Sequence, residues 1–397
     1  MFMRLSTLHK LIIFLGFISI YLSQFWYQYA PVIKLLTLIF FLLGSYIIII
    51  LEGSQKNFKY LFGCLLFFSF LIILGGLCGI YSPAQNLPLM FFYISIIFGS
   101  LFSLHFDSYL KMIKIFILVN LLAMIYEFAT ISYLLEPTSD YPSFIGRAKG
   151  FISYSKEAGA FILVFTLLFI RTLNVKWFIV LLFFAILSGS RLAMLIVFLA
   201  VIIELLYRMK IKHFMSPLSI FFSLLFVIIL IASFYYYSTL EQSQIIINRL
   251  SGTLDTDHSS NNERIDFWFS HMTIYDSYNI IEYFIGSPGQ TTSIIGNGSE
   301  SALINLITDG GILALSIYIG AIIIMFFLEG FKINIFLHLL LLVLAMQLSR
   351  VNIGFLDGTL FWAYFYYLIA RPNSNLIECG LIKIQKLENN CMRAFNR

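Results

Sequence analysis

Residues 301–328 read SALINLITDGGILALSIYIGAIIIMFFL. Asp309 is the only ionisable side chain in that run, apart from Tyr318. A helix needs roughly 20 mainly apolar residues to cross about 30 Å of hydrocarbon, so this stretch predicts a helix solvated by lipid. Its polar groups crowd at one end: Ser301, Asn305, Thr308 and Asp309, followed by Gly310-Gly311. Ionisable and amide groups at the mouth of a membrane helix are costly unless they serve a cavity.

The rest of the chain follows the same pattern. It is 60% hydrophobic and only 11% charged, with a mean hydropathy of +0.91, far from a soluble domain. The expected fold is an all-α polytopic membrane protein, one integral domain over 1–397, with about twelve spans. They fall near 9–27, 31–51, 60–81, 87–105, 109–132, 157–170, 174–188, 190–207, 217–237, 301–328, 332–348 and 358–370. The seventh and eighth are short and meet at Ser188-Gly189-Ser190-Arg191. No small-residue cleavage site follows the first, which is therefore kept as a mature helix. None of the four cysteines falls in an expected external loop, so no structural disulfide is expected. The net charge of +5 comes from interhelical loops and does not indicate a nucleic-acid partner.

Charge predicts the orientation. Of 25 Lys and Arg residues, 17 fall on one side, from Arg4 and Lys10 through Arg171, Arg208 and Lys332 to the basic tail after Ala370. That side is expected to be the cytoplasm and to hold both termini. Arg147, Lys149, Lys156, Arg191, Arg249, Arg264 and Arg350 break the pattern, so they are expected to face something anionic outside the cytoplasm. Two outer segments, 133–156 and the 63-residue loop 238–300, are too long for simple connections and are expected to form an external cap.

Within the larger loop a helix is expected from about Asn262 to Phe284, capped by Asn261 or Asn262. Arg264, Trp268, His271 and Tyr275 recur at helical spacing and share a face. An arginine beside aromatics and an imidazole could hold a phosphate and a sugar ring together; the alternative is an interfacial helix resting on lipid headgroups. Glu300, at the loop exit, is the strongest candidate for a general base, unless it or Ser299 only caps the next helix. Arg191 opens a span at its outer end and suits bidentate phosphate contact, or it snorkels to headgroups. Arg147 and Lys149 lie between Gly146 and Gly150. Asn120 and Glu127 share a face of the fifth span. Arg350 and Asp357 flank the loop before the last span. Together these groups point to a cavity opening outward. No His, Cys, Asp or Glu cluster has metal-ligand spacing, and Walker and Rossmann signatures are missing; no metal or cofactor is expected, and a soluble nucleotide donor is disfavoured.

The segment Leu187-Ser188-Gly189-Ser190-Arg191-Leu192-Ala193, the large loop after one further span, Glu263-Arg264-Ile265-Asp266-Phe267-Trp268, Gly298-Ser299-Glu300-Ser301 running into Gly310-Gly311-Ile312-Leu313, and Gly146-Arg147-Ala148-Lys149-Gly150-Phe151 stand in one order. In that order and placement, residues 140–360 resemble the bacterial O-antigen polymerase (Wzy) and O-antigen ligase superfamily. Ligases carry a His-Asn pair at the loop exit, where this chain has Ser299-Glu300-Ser301, so the resemblance favours the polymerase branch. The spacing from Arg147 to Gly159 is one residue longer than in the motif usual for polymerases.

The resemblance implies a metal-independent glycosyltransferase of GT-C architecture in the bacterial inner membrane, its active site facing the periplasm. Donor and acceptor would be polysaccharide and repeat unit, each on undecaprenyl diphosphate, and a chain-length-regulating co-polymerase would be a partner. The leaving diphosphate is charged from the start, so such a site needs preplaced cations. The residues suited to that are Arg191 and Arg264, then Arg147 and Arg350. Glu300 would activate the acceptor hydroxyl, with His271 as substitute, and Trp268 and Tyr275 would stack on sugars. The other readings are an O-antigen ligase, acting on lipid A-core, and a flippase for lipid-linked oligosaccharide. A flippase should instead place its polar groups near the membrane midplane.

Overall fold

The computed structural model describes residues 14–15, 87–103, 106–134, 147–152, 155–212, 259–296, 299–349 and 355–370. The expected spans 31–51, 60–81 and 217–237, most of 9–27, and Arg249 and Arg350 lie outside them. Every regular element among the described residues is a helix. In chain order these are α1 (Leu87–Ser103), α2 (Phe106–Thr130), α3 (Ser155–Phe169), α4 (Val175–Leu187), α5 (Arg191–Lys212), α6 (Ser259–Tyr275), α7 (Ile280–Ile285), α8 (Gln290–Ile295), α9 (Ala302–Leu328), α10 (Ile333–Leu348) and α11 (Phe355–Ala370). A 3₁₀ turn, Ile170–Thr172, extends α3.

Two of these helices are long and apolar enough to cross a membrane: α2 with 25 residues and α9 with 27. Helices α4 and α10 are apolar but have 13 and 16 residues, which at 1.5 Å per residue reach only about 20–24 Å. The sequence places all of α1 to α5 and α9 to α11 in spans; among the described residues, length and composition together single out α2 and α9.

Small residues let the helices approach closely. Gly99 of α1 lies against Trp362 and Ala363 of α11, with no room for a Cβ. Ser95 and Ser103, one helical turn either side, are buried and satisfy their hydroxyls on their own helix, at Phe92 O and Ser100 O. Gly159 of α3 packs on Ser190 in the same way. Between them lies an aromatic core in which Tyr318 of α9 stacks on Phe361 of α11 at 4.7 Å.

Backbone contacts show which helix ends lie together. Gly189, at φ 60°, reverses the chain between α4 and α5. Ala302 N, opening α9, donates to Ser349 O, just beyond α10, at 3.0 Å. Ala148 N donates to Leu187 O at 2.9 Å. The start of α3, the α4–α5 turn, the start of α9 and the end of α10 thus form one end of the bundle, and the cap helices sit over it.

The expected helix 262–284 is two helices. It begins earlier, at Ser259, so Asn261 and Asn262 lie in its first turn and do not cap it. It stops at Tyr275, and Asn279 then caps α7: its side chain accepts from Ile281 N and Glu282 N, while Glu282 accepts from Asn279 N. This reciprocal capping box outweighs continuation of the helix.

Helix α9 is also broken, at Gly311 (φ 66°, ψ −171°). The segment after α7 fills the break. Ser287 N donates to Thr308 O at 3.0 Å and Gly289 N to Asp309 Oδ1 at 3.1 Å. A Cβ at Gly286 or Gly311 would collide with the facing backbone. The Gly310-Gly311 pair and buried Asp309 are therefore where the cap docks onto the bundle.

Candidate active site

The geometry centres on Glu300. Its Oε1 lies 3.0 Å from Lys156 Nζ, on the first turn of α3, and its Oε2 lies 3.2 Å from Arg264 Nε, on α6. One carboxylate thus joins the bundle to the cap. Glu300 has φ 59°, the left-handed region that a residue with a Cβ adopts at a cost of roughly 1–2 kcal/mol. The turn is held by Ser299, whose Oγ lies 2.8 Å from Asn305 Oδ1 and 3.0 Å from Ser301 O. Ser301 caps α9, accepting from Ile304 N at 3.3 Å. The capping role open to Ser299 or Glu300 therefore belongs to Ser301, and the Glu300 carboxylate points to cations instead.

Helix α6 carries Arg264, Trp268, His271 and Tyr275 on its inward face; Ile265, Asp266, Phe269 and Ser270 are exposed. The shared face read from periodicity is real, but the four residues occupy different settings. Arg264 reaches Glu300. Trp268 is half-buried, and its indole N–H is buried without a hydrogen-bond acceptor among the described residues. His271 is fully buried. Tyr275 packs against Tyr278 and Tyr283, at ring separations of 5.2 and 4.4 Å, so its ring faces serve the cap's own packing.

The 147–152 loop is the second component, and buried polar groups of α2 anchor it. Glu127 accepts from Lys149 N at 2.8 Å, Gly150 N at 2.9 Å and Leu134 N at 3.0 Å. Asn120 Oδ1 accepts from Phe151 N at 2.7 Å. Gly150, at φ 58°, is needed because a Cβ there would press on Asn120. Asn120 and Glu127 are thus explained by loop backbone that would otherwise lack partners. Lys149 is buried, with its ammonium 5.7 Å from the Tyr133 ring centre. Burial pushes that ammonium below its ordinary pKa, and the Glu127 charge offsets part of the shift.

Arg147, half-buried, begins this loop, and the Ala148 hydrogen bond carries it to the α4–α5 turn, after which Arg191 opens α5. The Gly159–Ser190 contact ties the same turn to the first part of α3, where Lys156 stands. The structure therefore brings Glu300 and Arg264 into direct contact and gathers the segments bearing Arg147 and Arg191 at the same end. It adds Lys156, which the sequence showed as one misplaced cation without a role. Its partner is 144 residues away, and no local pattern announces the pair. Among the described residues, no group of three or more His, Cys, Asp or Glu side chains could hold a metal ion.

A second ionic cluster lies at the far end of the same helices and has no counterpart in the sequence reading. Arg171 grips Glu329 with both terminal nitrogens, at 2.6 and 3.1 Å, and Tyr364 hydroxyl bonds to both residues. Burial would push the Glu329 carboxyl up, but Arg171 outweighs it through hydrogen bonds and charge, and holds the carboxyl below its ordinary value. Nearby, Arg208 binds Glu204 at 2.8 Å and reaches the carbonyls of Ile170, Arg171 and Leu173 at 2.9–3.0 Å. These carbonyls lie in and just after the 3₁₀ turn that ends α3, where helix carbonyls run short of donors; Ile170 O also accepts from Leu173 N at 3.3 Å.

Compared with known proteins, the chain matches no family model, no curated protein and no solved structure.

Proposed function

We propose that this protein is an O-antigen polymerase: a GT-C-type glycosyltransferase of about twelve spans in the bacterial inner membrane, acting at the periplasmic face. It would transfer a growing polysaccharide from undecaprenyl diphosphate onto a repeat unit carried by a second such lipid. The observation that carries this reading is the Arg264–Glu300–Lys156 cluster, where a carboxylate and two cations meet between cap and bundle. Such a set can receive a diphosphate and a proton together. The acceptor hydroxyl oxygen would bond to the anomeric carbon of the donor. The bond from that carbon to the diphosphate oxygen would break, with its electron pair leaving on the diphosphate. The hydroxyl proton would pass to Glu300, and Arg264 would stabilise the departing charge. Trp268, with its indole N–H buried on the same helix face, is suited to a sugar hydroxyl.

The break in α9 bears on the flippase reading, because transporters use discontinuous helices. Here the cap loop fills the break through Ser287 and Gly289, so the break supports docking of the cap and not a path through the membrane.

The test is a lipopolysaccharide gel of a strain lacking the protein, complemented with wild type or Arg264→Ala. A polymerase leaves lipid A-core bearing one repeat unit in the deletion strain. Wild type should restore the ladder, and Arg264→Ala, at equal membrane abundance, should not. Lipid A-core with no repeat, together with polymer stored on undecaprenyl diphosphate, would establish the ligase reading instead.

A further inference from the structure

We infer that Lys156 and Arg264 form a two-cation diphosphate site for which Glu300 is the resting counter-ion, displaced when the ligand enters. This rests on the polymerase reading and deepens it: Lys156 becomes a binding residue, and Glu300 a competitor as well as a base.

The first argument is charge. In the resting state one carboxylate spans two cations, at 3.0 and 3.2 Å, leaving one positive charge uncompensated within the cluster. A sugar-bearing lipid diphosphate carries one negative charge on each phosphate. It would neutralise both cations, which Glu300 alone does not.

The second argument is exposure. The side chains of Lys156, Arg264 and Glu300 are 63%, 42% and 37% exposed. Ion pairs this exposed are weak, because water screens them and ordering long side chains opposes them. An arginine meeting a phosphate in bidentate fashion makes a stronger contact, so the exchange runs in the ligand's favour.

The third argument is the backbone. Glu300 sits at φ 59° in a turn pinned by Ser299 and Ser301. Only its side chain needs to swing for the cations to be released, and the rigid turn keeps the carboxylate beside them. Once displaced, that carboxylate is available to the acceptor hydroxyl. After transfer its proton passes to water at this exposed position, and the regenerated carboxylate competes again for Lys156 and Arg264, and so promotes departure of the product diphosphate. Diphosphate binding, base activation and product release are then linked through one side chain.

The experiment uses the full-length protein in nanodiscs, with farnesyl diphosphate as probe and farnesyl monophosphate as control. Lys156→Gln should weaken diphosphate binding about tenfold, the worth of one charge-assisted contact. Glu300→Gln should tighten it several-fold by removing the competitor, while failing to restore polymer in cells. Monophosphate binding should respond little to Lys156→Gln. The signs decide the matter, because a merely structural Glu300 gives unchanged or weaker binding when neutralised. If the deletion strain shows the single-repeat phenotype and wild type binds the probe, but Lys156→Gln and Glu300→Gln bind like wild type, the inference alone fails. If wild type binds no farnesyl diphosphate and the deletion leaves polymer unchanged, the polymerase reading falls with it.

Discussion

The two ends of the helix bundle use the same chemistry under different conditions. At the cap end, Glu300 meets Lys156 and Arg264 through side chains more than a third exposed. At the far end, Arg171 and Glu329 are 18% and 17% exposed, doubly bonded to each other and both bonded to Tyr364. The far cluster joins the end of α3, the end of α9 and α11, and Arg208 adds α5. Its groups are desolvated, so each depends on its partner. The cap cluster joins equally distant segments but remains wet, and its central residue holds a left-handed backbone. A largely buried, multiply bonded ion cluster resists exchange; an exposed one on a strained turn can trade partners. That contrast separates the ions that hold this fold together from those placed to meet a ligand.

The largest effect should come from breaking the far cluster. Arg171→Ala leaves the Glu329 carboxylate buried with its main partner gone, a change that costs on the order of 3–5 kcal/mol. We expect a marked fall in melting temperature of the detergent-solubilised protein and in its membrane abundance. A variant as stable as wild type would remove the distinction between the two ends.

Next comes the anchor of the 147–152 loop. Glu127→Ala orphans three backbone N–H groups, which should destabilise by about 2–3 kcal/mol, centred on the loop. Ala148 is fully buried. An Ala148→Cys thiol should therefore react slowly with a polar maleimide, and rapidly once Glu127→Ala is added. Equal rates would mean that Glu127 does not hold the loop.

Acid should act on the far end through Glu329. Its folded pKa lies below the ordinary value of 4.5, so its ion pair stabilises the protein fully above that value and is lost as pH falls through the lower folded one. Melting temperature should decline below about pH 4.5, and Glu329→Gln should lack this Arg171-linked part of the decline. Parallel pH profiles for the two proteins would contradict the assignment.

The smallest effect on folding should follow Lys156→Ala. An exposed pair is worth about 0–1 kcal/mol, so the melting temperature should stay near that of wild type even though probe binding weakens. A loss as large as that from Arg171→Ala would make the cap cluster structural and remove the basis of the exchange proposed for Glu300.

Much of the site could be read along the chain because it depends on local periodicity. The four-residue face of α6 is a matter of 3.6-residue spacing, and it survives although the helix ends nine residues before Phe284, where expectation had placed its end. That stop was readable too: Asn279 and Glu282 have the spacing of a capping box, and the apolar run Ile280-Ile281 concealed it. Glu300 stood out as an acid at the mouth of an apolar helix. Asn120 and Glu127 read as polar groups sharing a face, but their function, holding backbone 22 to 31 residues away, is not legible along the chain.

The sequence by itself determined that the described elements are helical, that α2 and α9 fall among apolar spans, and that Arg264, Trp268, His271 and Tyr275 share a face. Each of these follows from composition or from a period that repeats within a few residues. Only the tertiary structure decided that Lys156 would meet Glu300, that Arg171 would meet Glu329 across 158 residues, that Gly311 would break α9 to admit the cap, and which ions would be dry. Those outcomes depend on which helix ends close packing brings together. Close packing sums many weak contacts across the whole chain, and no local pattern contains that sum.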